Sequence, residues 1–110
     1  MTDVLKVLGQ VAPTDTSANT LYTVPSLAST TVSSLVVCNR TAGNLTFNFA
    51  VRPAAITPIA AKHYLFFETP LAAKSTLTAV LGLTLAETDV VTVYASATGL
   101  SFNLFGVETS

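Results

Sequence analysis

The chain has 110 residues, of which 50% are hydrophobic and only 10% are charged, with a formal net charge of −1. This length fits one domain, and without an excess of basic residues a nucleic-acid partner is not expected. The single cysteine, Cys38, excludes an intrachain disulfide, and Thr, Ser, Asn or Gly interrupts every apolar run before it could form a membrane-spanning helix.

Eight segments of the sequence have the features of β-strands. Apolar or β-branched residues recur in them, often at every second position, and turn residues separate them at intervals typical of a β-sandwich or barrel. The 18 Thr and 9 Ser residues supply polarity in side chains that suit a pleated sheet. The predicted strands are residues 4–11, 21–24, 31–39, 45–51, 63–68, 75–85, 90–96 and 100–107.

In the first half of the chain, turn residues mark the ends of the predicted strands. Pro13 and Asp15 end the first strand, because proline has no N–H for a ladder and aspartate favours a turn. Pro25 ends the second strand in the same way. The short turn 40–44 predicts a hairpin, since apolar and polar residues alternate strictly across the following segment 45–51.

In the second half of the chain, the alternation fails at one place. Residues 53–61 contain two prolines, which prevent continuous strand pairing and predict a loop with apolar content. Pro70 is expected to stop the strand before it. Residues 75–85 have leucine or alanine at every second position, which favours a strand over a helix, and residues 97–99 predict a second hairpin.

These elements predict an all-β domain that spans residues 1–110. We expect a sandwich of two antiparallel sheets with about eight strands, in a Greek-key or jelly-roll arrangement rather than a simple meander. The pattern does not indicate the order of the strands.

The residues that could support catalysis are few. His63 is the only histidine, and Glu68, five residues away, would lie on the opposite face of the same strand. Glu87 and Asp89 could share one side of a turn, but two carboxylates alone are a thin ligand set for a metal ion. Cys38 has apolar neighbours and is expected to be a buried, unreactive packing residue. We therefore expect a non-enzymatic protein with no catalytic residue, metal site or cofactor.

Three tyrosines and two asparagines have alternative interpretations. Tyr22, Tyr64 and Tyr94 could form an aromatic platform for a sugar, although core or interface packing is the preferred interpretation. Asn39 and Asn44 each begin an Asn-X-Thr sequence, and we interpret both as turn residues rather than as glycosylation sites.

Five segments have an informative order and spacing along the chain. They are KVLGQ (6–10), LYTVP (21–25), SSLVVCNR (33–40), TDVVTVYA (88–95) and LSFNLFGVE (100–108). In this order and spacing the chain resembles a family of small virion proteins from tailed bacteriophages. The likeness spans nearly the whole chain and departs from the family pattern mainly in the loop 53–61. Members are described as head decoration, head fibre or tail-associated proteins, so the resemblance implies a structural role and supplies no catalytic residue.

With this resemblance, we expect a capsid decoration or cement protein that binds the outer surface of the head and stabilises the shell. Its expected partners are the major capsid protein and copies of itself, arranged as a homotrimer, with no nucleic acid, membrane or small-molecule substrate. It would occupy the capsid surface of the virion, and the host cytoplasm during assembly. The alternatives are a tail, baseplate or fibre-associated protein and, from another class, a carbohydrate-binding module in host adsorption.

The low charge and the apolar loop are what an obligate assembly subunit should have, because obligate interfaces resemble a protein core. The candidate contact residues lie near the start of the chain and in the loop 53–61. They are Lys6, Pro53, Ile56, Pro58 and Ile59.

Overall fold

The structure, a computed structural model, describes residues 2–110 and confirms a strand at each of the eight predicted positions. Two short 3-10 turns, Pro53–Ala55 and Ala61–His63, bracket the predicted loop. The strands are β1 (Asp3–Val11), β2 (Asn19–Thr23), β3 (Ser29–Asn39), β4 (Leu45–Arg52), β5 (Tyr64–Leu71), β6 (Thr76–Leu85), β7 (Val90–Ala95) and β8 (Leu100–Thr109).

The strands form two four-stranded sheets that pack face to face. The first sheet has the order β1-β8-β3-β6 and the second has the order β2-β7-β4-β5, with every pair antiparallel. The chain crosses from one sheet to the other after every strand except β4, which is followed by β5 in the same sheet. This is the eight-stranded jelly-roll order, so the predicted two-sheet sandwich is confirmed.

Both predicted hairpins are wrong. β3 pairs with β6 and β8, whereas β4 pairs with β5 and β7, so the turn 40–44 crosses between the sheets. The turn 96–99 likewise joins strands of different sheets. Alternation indicates which face of a strand is apolar, but it does not identify the strand that pairs with it.

The core lies between the sheets and consists of the inward-facing residue of each alternating pair. Phe47 from the second sheet and Phe102 from the first are fully buried, and their rings meet edge to face at 5.9 Å. Burying a side chain of this size contributes about 1.5–3 kcal/mol. In β6, exposed and half-buried residues alternate as predicted, and the half-buried Leu77 and Leu81 pack against the core.

Strand β5 departs from its predicted bounds at both ends. It begins at Tyr64, so His63 belongs to the preceding 3-10 turn, and it continues through Pro70 to Leu71. Pro70 was expected to stop this strand. It is tolerated because β5 is an edge strand that pairs only with β4, so a missing N–H can face away from the sheet.

The antiparallel strands place the loops at two ends of the sandwich. We call residues 24–28, 53–63 and 86–89 together the apolar end, because exposed apolar side chains occur there. The opposite end, which we call the polar end, contains the following connections: residues 12–18, 40–44, 72–75 and 96–99.

Candidate functional site

Two carboxylates hold the three loops of the apolar end together. Glu87 Oε2 accepts a hydrogen bond from the Leu27 N–H at 2.6 Å. Asp89 accepts from the Ala54 N–H through Oδ1 at 2.9 Å and from the Ala86 N–H through Oδ2 at 2.8 Å. The two residues lie in the predicted turn, but they organise the neighbouring loops instead of only facing solvent.

Further hydrogen bonds fix the positions of these loops. The Val24 N–H donates to the Asp89 carbonyl at 3.0 Å, and the Thr88 N–H donates to the Val24 carbonyl at 3.1 Å. On the other side of Asp89, the Arg52 guanidinium donates through Nη1 to the Ile56 carbonyl at 3.1 Å. The loop that carries Ile56 is therefore tied to strand β4 as well as to the turn 86–89.

The ordered loops present apolar side chains to solvent. Leu27 is 87% exposed and Ile56 is 47% exposed, whereas Ile59 is half-buried. Pro53 and Pro58 are exposed. Neither isoleucine belongs to the hydrophobic core.

Lys6, the remaining candidate contact residue, lies on β1 and already has a partner. Its ammonium group forms an ion pair with Glu108 at 3.2 Å. Because β1 belongs to the first sheet and the loop 53–63 joins two strands of the second sheet, Lys6 and the other candidate contact residues lie on different sheets.

Glu108 also belongs to a hydrogen-bonded clasp between the sheets. The Tyr22 hydroxyl, from β2, donates to Glu108 on β8 and lies 2.8 Å from the Thr30 hydroxyl on β3. Burial, with the adjacent carboxylate, raises the pKa of Tyr22 to about 12. The hydrogen bond from Tyr22 and the Lys6 ammonium lower the pKa of Glu108. The clasp ties an edge strand of the second sheet to the first sheet.

The outer face of the first sheet carries a second group of exposed apolar residues. Val7, Phe105, Ser34 and Val80 stand in register across all four strands, and Val80 is 89% exposed. In the next row, the exposed Leu5 pairs with Val107. Only Ser34 interrupts the apolar row across this face.

His63, Glu68 and Cys38, the candidates for catalysis, do not come together in one site of the structure. His63 is buried, its Nδ1 accepts from the Ala60 N–H at 2.9 Å, and its Nε2 has no hydrogen-bond partner within the described chain. Glu68 lies exposed on β5, and no hydrogen bond joins it to His63 among residues 2–110. Cys38, expected to be buried, is a half-buried free thiol on the outer side of β3.

The three tyrosines occupy two separate places. Tyr22 is in the core, as the preferred interpretation predicted. Tyr64 and Tyr94 lie together on the outer face of the second sheet with ring centroids 6.3 Å apart, and Phe67 is 4.9 Å from Tyr64. Strict alternation would place Tyr64 and Phe67 on opposite faces of β5, but the bulge at residues 67–68 brings their rings together.

Both asparagines have the turn role that was predicted. Asn39 is buried, donates through its amide to the Gly43 and Leu71 carbonyls, and accepts from the Thr41 N–H at 2.9 Å. Asn44 Oδ1 accepts from the Ala73 N–H at 3.1 Å.

No protein-family model matches this chain, and neither a curated protein nor a solved structure is significantly similar to it. Within residues 2–110, no group of three or more His, Cys, Asp or Glu side chains is placed to hold a metal ion. The same residues include no helix that is long and apolar enough to cross a membrane.

Proposed function

We propose that this protein is a non-enzymatic structural subunit of a phage virion, which docks through its apolar end on the outer surface of the head as a capsid decoration protein. The observation that carries the proposal is the exposure of Leu27 and Ile56 on loops that the long-range hydrogen bonds of Glu87 and Asp89 hold in place. Exposed apolar surface is unfavourable by about 25 cal/mol per Å², and docking on a capsid subunit removes it from water.

The order of these loops favours binding to a surface. Because Glu87 and Asp89 already fix the backbone at Leu27 and Ala54, docking loses little conformational entropy there. The jelly roll is a recurrent architecture of viral capsid domains. The low charge suits an obligate assembly subunit. Together with the resemblance to small virion proteins, these features support a structural role.

Self-association is the second part of the proposal. The apolar row on the outer face of the first sheet, which includes Val80, packs against other copies in a homotrimer. A trimer that contacts several capsid subunits makes each further contact effectively intramolecular, so weak single contacts hold the shell. Light scattering of the purified chain should give three times the chain mass, and Val80→Lys should give a single chain mass. If the wild-type protein is monomeric at high concentration, the proposed trimer is contradicted.

The number of copies in purified particles tests the proposed location. Quantitative mass spectrometry against the major capsid protein should find hundreds of copies per particle. A few to a few dozen copies would instead indicate the alternative, a tail or baseplate protein. Absence from purified particles would contradict a virion role altogether.

A further inference from the structure

The outer face of the second sheet combines aromatic rings with unpaired polar groups. Tyr64, Phe67 and Tyr94 form a continuous aromatic patch, in which Phe67 is 59% exposed and the two tyrosines are half-buried. Tyr64 and Phe67, with Ala61 of the apolar end, line a recess of about 440 Å³. Leu27 and Ile56 line neither this recess nor the one beside it. The patch therefore borders the apolar end at Ala61 but does not include the two side chains proposed to dock on the capsid.

A polar recess of about 230 Å³ adjoins the aromatic patch through Tyr94. Asn48, Glu68 and Ser96 supply an amide, a carboxylate and a hydroxyl to its lining. Asn48 Oδ1 accepts from the Glu68 N–H at 2.6 Å, which fixes the orientation of the amide. Among residues 2–110, neither the Asn48 NH₂ nor the Glu68 carboxylate has a hydrogen-bond partner. These groups are free to bind a ligand.

The backbone at Glu68 is strained in a way that shapes this recess. Between the pairs Phe49↔Phe66 and Phe47↔Thr69, two residues of β5 oppose one residue of β4, which is a β-bulge opposite Asn48. Glu68 has φ 47°, and it is the only non-glycine residue inside a described strand with a left-handed backbone. Such conformations concentrate where a binding site requires them.

We propose that this patch and recess bind a neutral sugar. The C–H face of a pyranose ring is apolar and stacks on an aromatic ring, while its hydroxyl groups donate to a carboxylate and accept from an amide. No basic side chain of residues 2–110 lines the polar recess, so a protein partner over it would have to supply a cation for the Glu68 carboxylate or bury the charge unpaired, which is costly. The carboxylate also repels acidic sugars. The surface therefore favours a neutral glycan over a second copy of the chain or a uronic acid.

The test uses the full chain and four named probes, namely maltotriose, cellotriose, chitotriose and trigalacturonate. Titrations followed by two-dimensional ¹H–¹⁵N NMR should give saturable shifts with at least one of the three neutral sugars, centred on the amides of Asn48, Phe67 and Glu68. Trigalacturonate should produce none. The proposal fails if no neutral sugar shifts these amides, or if the shifts centre elsewhere.

Three variants test which side chains contribute to sugar binding. Phe67→Ser and Glu68→Gly should each weaken binding roughly tenfold, because they remove the stacking ring and the carboxylate. Glu68→Gly should not lower the melting temperature, since glycine adopts the left-handed backbone without strain. Val4→Ser, at a 46% exposed apolar position on the other sheet, is the control and should bind normally. Equal weakening by Val4→Ser would overturn the proposal. So would a Phe67→Ser protein that binds sugar normally but has a changed assembly mass, which would make the patch a protein interface.

Discussion

The two ends of the sandwich differ in the groups that join their loops and in what those loops expose. At the polar end, local turns are combined with longer-range bonds such as those from Asn39 to the Leu71 carbonyl and from the Ala73 N–H to Asn44. Asp15 accepts from Ser17 two residues away, and Asn39 accepts from Thr41. At the apolar end, Glu87 reaches Leu27 across 60 residues and Asp89 reaches Ala54 across 35. Within residues 2–110, the polar-end loops carry none of the large exposed apolar side chains.

What separates the two ends is that, within residues 2–110, only the loops of the apolar end carry large exposed apolar side chains. A local Asx turn satisfies its own backbone groups, so it does not depend on the rest of the fold. Long-range carboxylate contacts instead fix three distant segments relative to one another. They keep exposed apolar residues such as Leu27 in defined positions, which a docking surface requires.

The largest expected loss of stability comes from breaking the one polar-end turn that reaches into the protein interior. Asn39→Ala removes four hydrogen bonds of a buried side chain, including the bond to the Leu71 carbonyl at 3.1 Å. Urea unfolding should show a loss of about 3 kcal/mol, because buried polar groups lose their partners. The control Asn44→Ala, which removes one exposed bond, should cost under about 1 kcal/mol. Equal losses would show that burial of Asn39 is unimportant.

A smaller loss is expected at the apolar end. Asp89→Ala removes the acceptors of the Ala54 and Ala86 N–H groups, so we expect a loss of about 2 kcal/mol in the free energy of unfolding. Amide hydrogen exchange should accelerate in residues 53–63 as well as at Ala86. Asp15→Ala is the matched control, whose effects should remain within residues 12–19, since among the described residues Asp15 accepts only from Ser17 and Asn19. If exchange in residues 53–63 is unchanged in the Asp89 variant, the carboxylate does not order that loop.

The clasp between the sheets predicts a dependence on acid. The pKa of Glu108 is lower in the folded protein than its usual value, so its contribution is present above that usual value and disappears as the pH falls through the folded pKa. Glu108→Gln should cost about 1 kcal/mol at neutral pH and reduce the loss of stability on acidification. Urea unfolding between pH 7 and pH 3 measures both effects. A variant with an unchanged acid dependence would exclude Glu108 as a source of it.

The same clasp predicts a dependence on alkali of opposite sign. The pKa of Tyr22 is raised to about 12, so its contribution is complete below its usual pKa near 10 and is lost as the pH rises toward 12. Tyr22→Phe should remove this alkaline loss while lowering stability at neutral pH by about 1 kcal/mol. Spectrophotometric titration would contradict this account if all three tyrosines ionised together near pH 10.

The sequence predicts features that depend on neighbouring residues, and it does not predict features that depend on contacts between residues far apart in the chain. The eight strands were predictable, because apolar alternation is a local property of each segment. Pro70 misled the prediction, since a proline stops a central strand but not the edge strand β5. The pairing of β3 and β4 with other strands was not predictable from their short connecting turn. The roles of Glu87 and Asp89 depend on loops that are distant in sequence, and no local pattern indicates such contacts.

Exposure of the apolar end was only partly predictable. The prolines of residues 53–61 indicated a loop, and the apolar content of that loop pointed to Ile56. Leu27 was missed, although an isolated leucine directly after Pro25 and Ser26 in a turn is a signal for an exposed apolar residue. Its left-handed backbone, with φ 63°, follows from the loop geometry and has no signature in the sequence.

The most direct test of the docking surface is occupancy on particles that lack this protein. Such particles would be incubated with wild-type protein, with Leu27→Asp/Ile56→Asp, or with Thr14→Asp/Ala42→Asp, which adds the same charge to exposed positions of the polar end. All three proteins should unfold within about 0.5 kcal/mol of one another, since the substituted side chains lie outside the core. We predict full occupancy for the wild type and the polar-end variant, and greatly reduced occupancy for the apolar-end variant. Full occupancy by a folded apolar-end variant would contradict the account.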